Sequence, residues 1–291
     1  MALQSLAFRF KSDVAESQRV ADLLQREAER VGLKTSTEVD ASSDLVVAIG
    51  GDGTVLNAIR EMGPLRERIP ILAIHTGTGR GFLHPQAAPK DPARLEEWGR
   101  ELAEALASGR YRMTERWGLE GRLSNQSGEA LWSLNDFVVS KGLLSRLVVL
   151  RIDVVDIHGE TLFSKMRGDG LIVASSLGST AYSFSAGGPV VHPRLKNLVL
   201  TPICPVDHPG RSFILSGEAR VVVSILPHRG SAHLTLDGQI GIEMPENASI
   251  EMGISRRPVR WIKPILTTQA NRGYFEQLRT KLGFGGGLGA T

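Results

Sequence analysis

Leu45-Val46-Val47-Ala48-Ile49-Gly50-Gly51-Asp52-Gly53-Thr54 is the stretch whose reading decides how this chain folds. An apolar run rich in β-branched residues enters Gly-Gly-Asp-Gly, and Val55, Leu56, Ala58 and Ile59 then resume at helical spacing, so the letters spell a strand, a tight turn and a helix start. Glycine lets a backbone take positive φ and approach a ligand closely, and the first turn of a helix offers unpaired N–H groups and the positive end of its dipole. Phosphate is the guest such a turn fits. Asp52 is the odd member, because a carboxylate beside a phosphate is repelled unless it takes a proton, holds a metal ion or binds a sugar hydroxyl. The same letters also suit a plain chain reversal in which Asp52 or Thr54 caps the helix.

Working outward, Leu6 to Phe10 reads as a strand. Asp13-Val14-Ala15-Glu16 reads as a capping box opening a helix with Val20, Leu24, Ala28 and Val31 on one face, and Gly32 stops it before the next strand, Leu33 to Val39. Ile69 to Ile74 is another continuous apolar strand, followed by a second glycine turn, Gly77-Thr78-Gly79-Arg80-Gly81. Asp91-Pro92 starts a further helix, with Leu95, Trp98, Leu102 and Leu106 on its face and Gly109 beyond its end. Strands apolar on both faces and alternating with helices predict a parallel sheet covered on both sides, whose ligands gather at the strands' carboxyl ends. Both glycine turns lie at such ends, and we expect them to converge on one crevice.

From about Tyr111 to Leu266 the alternation gives way to short runs of β-branched residues separated by Gly, Asn, Asp and Pro, the pattern of an all-β, sandwich-like domain. The expected organisation is an α/β domain over residues 1–112, a β-rich domain over 113–266, and a C-terminal segment 267–291 whose helix near Tyr274 to Leu282 packs back on the first domain ahead of a glycine-rich tail. At 291 residues, 42% apolar and 22% charged, the chain has the composition of a globular protein with ordinary cores. A net charge of +3 gives no reason to expect nucleic acid. Arg256 to Lys263 is the largest basic cluster, and its interleaved apolar residues predict a solvated strand face or subunit contact. A single cysteine, Cys204, excludes an internal disulfide and fits a reducing compartment, and no apolar run is long enough to span a bilayer, so the cytoplasm is the expected location.

Residues 168–189, Gly168-Asp169-Gly170 through Gly187-Gly188-Pro189, form the second unusual stretch. A strand from Leu171 to Ala174 enters a run of small hydroxylated residues with one tyrosine, which fills a core badly but suits a nucleotide: Tyr182 can stack on a base while Thr180 and the serines read its edge or sugar. Hydroxyls that merely satisfy a glycine-rich connection's own backbone give the same composition. Other nucleotide and hydrolase signatures fail on the letters. No Gly-x-x-x-x-Gly-Lys-Ser/Thr occurs, neither glycine turn completes Gly-x-Gly-x-x-Gly, and Ser185 lacks the flanking glycine of Gly-x-Ser-x-Gly. The seven histidines show no paired metal spacing.

Taken together, Gly50 to Thr54, Leu134-Asn135-Asp136, Arg167-Gly168-Asp169-Gly170, Gly178 to Pro189, Thr201-Pro202-Ile203-Cys204-Pro205 and Asp237-Gly238-Gln239 resemble the NAD kinase family, in the family's order and over about residues 44–240. The resemblance implies an active site between an N-terminal α/β domain and a C-terminal β-rich domain. There the adenosine ribose 2′-hydroxyl of NAD attacks the terminal phosphoryl group of ATP or polyphosphate. By the same resemblance Asp52 takes or orients the hydroxyl proton. NAD is contacted by Asp52, Gly53, Phe82, Asn135, Asp136, Arg146, Arg167, Asp169, Thr180, Ala181, Tyr182, Ser183, Phe184, Ser185 and Gln239, and the phosphoryl donor by Gly50, Gly51, Gly53 and Thr54. A divalent ion, Mg²⁺ or Mn²⁺, accompanies ATP without a predicted protein cage, and homodimers or homotetramers are expected. The second glycine turn departs from the family's usual Gly-x-Leu-Gly-Phe-Leu by one extra residue, which introduces Arg80, a candidate donor contact. A lipid or sphingoid kinase sharing Gly-Gly-Asp-Gly-Thr, or a non-catalytic NAD sensor, are the competing readings.

Overall fold

The computed structural model describes residues 3–76, 82–84, 86–124, 130–142, 146–207, 210–268 and 274–283. It divides into two compact units, residues 1–115 with 259–291, and residues 116–258.

The first unit runs Ser5–Phe10 (β1), Ala15–Arg30 (α1), Lys34–Ser36 (β2), Leu45–Gly50 (β3), Asp52–Glu61 (α2), Ile71–His75 (β4), Gln86–Ala87 (β5), Pro92–Ala107 (α3) and Tyr111–Arg116 (β6), and the strand Val259–Pro264 returns to it. Its sheet has the order β2, β1, β3, β4, Val259–Pro264, β6, with β5 beside β4 and parallel pairing from β2 through β4 to Val259–Pro264. All six residues of β3 are buried, as a strand covered on both faces requires. Phe8, Val47 and Leu72 of the sheet share one core with Val20 and Leu24 of α1 and with Leu95, Trp98 and Leu102 of α3. Each such fully buried side chain contributes about 1.5–3 kcal/mol relative to exposure.

Two local expectations are corrected. Asp13 does not cap α1, which starts at Ala15 with Val14 at the N-cap position and no side-chain cap, because a Lys11–Val14 turn carries the chain past Asp13 before the helix begins. The strand after α1 is only Lys34–Ser36, since Ser36 Oγ takes the N–H of Glu38 at 2.9 Å and ends the extended run. Asp91 does cap α3, accepting from Arg94 N at 2.9 Å.

The second unit continues with Leu119–Leu123 (β7), Leu131–Ser133 (β8), Asp136–Lys141 (β9), Val148–Val155 (β10), Thr161–Gly168 (β11), Gly170–Ser175 (β12), the short helix Tyr182–Ser185 (α4), Asn197–Ile203 (β13), Phe213–Ser216 (β14), Arg220–Ile225 (β15), Ala232–Leu236 (β16), Ile240–Met244 (β17) and Ser249–Ile254 (β18). Two six-stranded antiparallel sheets result, β11-β10-β15-β18-β7-β8 and β14-β13-β12-β9-β16-β17. Phe137, Val139, Leu171 and Val173 of one sheet and Leu150, Val221, Val223 and Ile250 of the other share the core. The opposite side of β12, Ile172 and Ala174, packs with Val138, Val191 and Val199. That second covering explains why β12 reads as an unbroken apolar run.

The β-rich unit ends at Pro258, not at residue 266 as expected. Val259, Trp261 and Ile262 are buried, and Trp261 pairs with Ile71 of β4, so the basic stretch that reads as a solvated strand face is an inner strand of the α/β sheet.

Candidate functional site

In the first unit the Gly50–Thr54 stretch becomes the predicted turn between β3 and α2. Gly50 has φ +154, and a Cβ there would collide with the side chain of Thr54, which is buried against it. Gly51 is the N-cap residue, and a Cβ added to it would meet nothing among the described residues. Glycine at 50 is therefore demanded by the protein's own packing, whereas no described residue demands it at 51. The N-cap position of α2 is Gly51, which has no side chain to cap with, so neither Asp52 nor Thr54 is its N-cap residue.

The Asp52 carboxylate is instead tied to the residues that follow the second glycine turn. Oδ2 accepts from Phe82 N at 3.1 Å, Oδ1 accepts from Leu83 N at 3.1 Å, and His84 Nδ1 lies 3.0 Å from Oδ1. Trp261 Nε1 donates to Leu83 O at 3.1 Å, which fixes this Phe82–His84 strap to the strand Val259–Pro264. Burial pushes the Asp52 carboxyl up, but His84 and the Leu83 and Phe82 N–H groups outweigh it and hold the group below the usual carboxylate range. At neutral pH Asp52 is ionised. Gly77 to Gly81, Arg80 among them, lie outside the described residues.

The second unit holds most of the residues expected to contact NAD. Asn135 lies in the tight turn between β8 and β9, and Asp136 opens β9; the turn is gripped from two sides. Asp237 accepts from Leu134 N at 3.0 Å and Asn135 N at 2.7 Å, while Ser175 donates to Leu134 O at 2.7 Å from its hydroxyl and to Asn135 O at 2.8 Å from its N–H. A Cβ on Gly178 would overlap the Asn135 carbonyl, so glycine is needed there for close approach. Beyond it Gly178–Thr180 forms a 3-10 turn and α4 follows, which presents Tyr182, 48% exposed, together with Ser185. Ala181, Phe184 and Thr180 are partly exposed. Ser183 is the exception: it is fully buried and its hydroxyl is bonded to Thr201 Oγ1 at 2.9 Å, so its side chain supports the segment from within. Asp169 pairs with Lys141 at 2.8 Å and Arg167 with Asp207 at 2.7 Å, and Arg146 and Gln239 are exposed.

Two residues were given no role by sequence reasoning. His84 follows the second glycine turn as a single histidine without a spacing partner, and only the fold brings it to Asp52. Asp237 stands in a recognisable Asp-Gly-Gln, but its left-handed φ of +51 and its grip on a turn a hundred residues away are tertiary facts.

Burial, with the nearby Asp237 charge, raises the Asp136 carboxyl to about 7. In the unfolded chain it titrates near the ordinary value, so between about pH 4 and 7 the native state holds one more proton than the unfolded state. This group's contribution to stability therefore falls as pH rises through that window, by up to about 1.4 kcal/mol per pH unit, and is flat above it. Asp136→Asn is expected to remove that slope and to be more stable than the parent at pH 8. Urea unfolding at pH 5.5 and pH 8 checks it, and an unchanged pH dependence in the variant refutes the assignment.

A glycine turn at a helix start, with a clamped ionised carboxylate beside it, has the chemistry of a centre that handles phosphate groups. Comparison with known proteins narrows this. The ATP-NAD kinase N-terminal domain matches residues 3–98 and the ATP-NAD kinase C-terminal domain matches residues 134–264. The NAD kinase of Geotalea daltonii is 36% identical over 250 residues, covering 85% of this chain and 81% of its own, and that of Magnetococcus marinus is 34% identical over 270 residues, covering 92% and 82%. A yeast NADH kinase solved with NADH has the same fold, with a TM-score of 0.81 at 23% identity over 100% of this chain and 91% of its own. The chain belongs to the NAD kinase family, and its activity is that of a phosphotransferase with NAD as acceptor.

Proposed function

We propose that the chain transfers the terminal phosphoryl group of ATP, or of polyphosphate, to the adenosine ribose 2′-hydroxyl of NAD, with Asp52 orienting that hydroxyl and receiving its proton. The observation that carries this reading is the Asp52 carboxylate, ionised and held by the Phe82–His84 strap at the N-terminus of α2. Gly50, Gly51, Gly53 and Thr54 supply the backbone that faces the donor phosphates, and the α2 dipole stabilises their charge. An NAD kinase from Archaeoglobus fulgidus that shares the fold (TM-score 0.71, 24% identity, covering 96% of this chain and 98% of its own) was solved in complex with ATP, which supports a nucleotide donor.

Among the described residues no three His, Cys, Asp or Glu side chains gather as a metal site. A Mg²⁺ or Mn²⁺ ion carried on the phosphate oxygens of the donor fits that donor set, and it would neutralise charge on the transferring group. For the acceptor, Asn135 and Asp136 address the base and ribose hydroxyls, Tyr182 stacks, and Thr180, Ser185, Asp169, Arg167, Arg146 and Gln239 complete the contacts. The exposed apolar residues Leu162, Phe163 and Ile214 on the edge strands β11 and β14 support self-association as a homodimer or homotetramer. No helix among the described residues is long and apolar enough to cross a membrane, and a chain with one cysteine fits the reducing cytoplasm.

Incubating the purified chain with NAD, Mg²⁺ and ATP, and coupling the product to a strictly NADP-dependent dehydrogenase, is expected to give a continuous signal. A parallel reaction with polyphosphate identifies the donor. No NADP from either donor would sink the proposal.

A further inference from the structure

His84 is almost fully buried, with its side chain 1% exposed, although it carries a polar ring on a short connection between a glycine turn and β5. Both ring nitrogens are buried: Nε2 has no hydrogen-bond partner among the described residues, and Nδ1 lies 3.0 Å from Asp52 Oδ1 in a close polar contact that is not aligned as a hydrogen bond. Among the described residues, the ring faces Asp52, at the start of α2, and His75, at the end of β4, whose ring centroid lies 4.9 Å away. His75 itself has Nδ1 3.3 Å from the Gly50 carbonyl.

Each carboxylate oxygen has room for about two donors. Among the described residues Oδ1 accepts from Leu83 N–H and has the His84 ring in contact at 3.0 Å, whereas Oδ2 accepts from Phe82 N–H. We infer that His84 is a positioning residue: by occupying Oδ1 it fixes the carboxylate plane and leaves Oδ2 as the oxygen that meets the acceptor hydroxyl. A carboxylate held by the two N–H groups alone keeps both oxygens available and a softer orientation, and misplacement of a reacting group by about an ångström is enough to lose roughly a hundredfold in rate. The inference rests on the reading of Asp52 as the group that receives the hydroxyl.

The test compares two substitutions of similar volume. H84N places an amide N–H near the position of Nδ1, while H84L fills the space without a donor. We expect H84L to lower kcat about ten- to a hundredfold with KM for NAD within about twofold, and to move the acidic limb of the kcat–pH profile to higher pH, because Asp52 loses a group that stabilises its charge. H84N should restore most of kcat and return the limb toward its original position. Should H84L fail to fold, H84Q replaces it, since its longer amide reaches the Nε2 side and is expected to lose activity in the same way. In a D52N background H84L should cause no further loss of kcat, whereas a residue that only fills the core would add its own.

Equal kcat in H84L and H84N with an unmoved acidic limb overturns the inference, as does a parallel loss of kcat and rise in KM that H84N does not rescue. The two readings fail separately. Full activity in D52N removes the role of Asp52, while an inactive D52N beside an unaffected H84L removes only that of His84.

Discussion

Asp52→Asn is expected to lower kcat by about a hundred- to ten-thousandfold while calorimetry still detects NAD binding. The size follows from what the carboxylate can and cannot do. Its proton affinity is depressed by His84 and by the Leu83 and Phe82 N–H groups, so it is a weak base that is fully available at neutral pH. A weak base suits this reaction, because phosphoryl transfer passes through a loose transition state in which the attacking hydroxyl is little changed and its proton leaves late. Orientation of the hydroxyl, and a place for the proton once the new bond is forming, are then what Asp52 supplies. The asparagine amide keeps one acceptor oxygen but turns an NH₂ toward a clamp made of donors, so the strap loses a partner as well. If kcat stays within about tenfold of the parent, a loss of only about 1.4 kcal/mol of barrier, Asp52 has no such role.

The parts of this centre that sequence makes legible are those built from contiguous residues. The run Leu45–Ile49 into Gly50-Gly51-Asp52-Gly53 announces strand, turn and helix because each link is local, and the structure places β3 and α2 there. The helix α3 is legible for the same reason, with cap, proline and apolar spacing all adjacent in the chain. Asp13 shows the limit of such signals: the right residue types at the right spacing do not cap a helix when the preceding turn takes the chain elsewhere. The strand Val259–Pro264 reads as part of the β-rich domain because its neighbours Tyr111–Arg116 and Ile71–His75 lie far back in sequence, and Arg260 and Lys263 give its alternation the look of a solvated face.

That strand matters to the site. Trp261 holds Leu83, Leu83 and His84 hold Asp52, and so the geometry of a carboxylate near residue 50 depends on a strand some two hundred residues later. Ser183 teaches the complementary lesson. A hydroxylated run next to tyrosine reads as uniformly available to a ligand, yet a helical turn sends one of its side chains inward to Thr201.

Asp237→Ala is expected to destabilise the second unit by about 2–4 kcal/mol and to weaken NAD binding at least tenfold. The carboxylate accepts the N–H groups of Leu134 and Asn135, and Ser133 Oγ lies against it. Leu134 is fully buried, so its N–H has no ready replacement partner, and an unsatisfied buried donor costs about 1–3 kcal/mol. Asn135 rides on the same turn, which would keep its grip from Ser175 and the bonds of Ser133 Oγ to Asp136 but lose the carboxylate, and an acceptor-binding amide on a loosened turn must be ordered again each time NAD binds. One effect runs the other way: removing Asp237 relieves the like-charge repulsion that helps hold Asp136 near 7. That relief exists only when Asp136 is ionised, so the destabilisation should be smaller at pH 8 than at pH 5.5. Asp237→Asn, which keeps one acceptor oxygen, should lose about half as much. Urea unfolding at the two pH values and calorimetric titration with NAD measure all three quantities. A variant as stable as the parent at pH 5.5, with an unchanged NAD affinity, would mean that the turn carrying Asn135 is held without the Asp237 carboxylate, by Ser175 and Ser133.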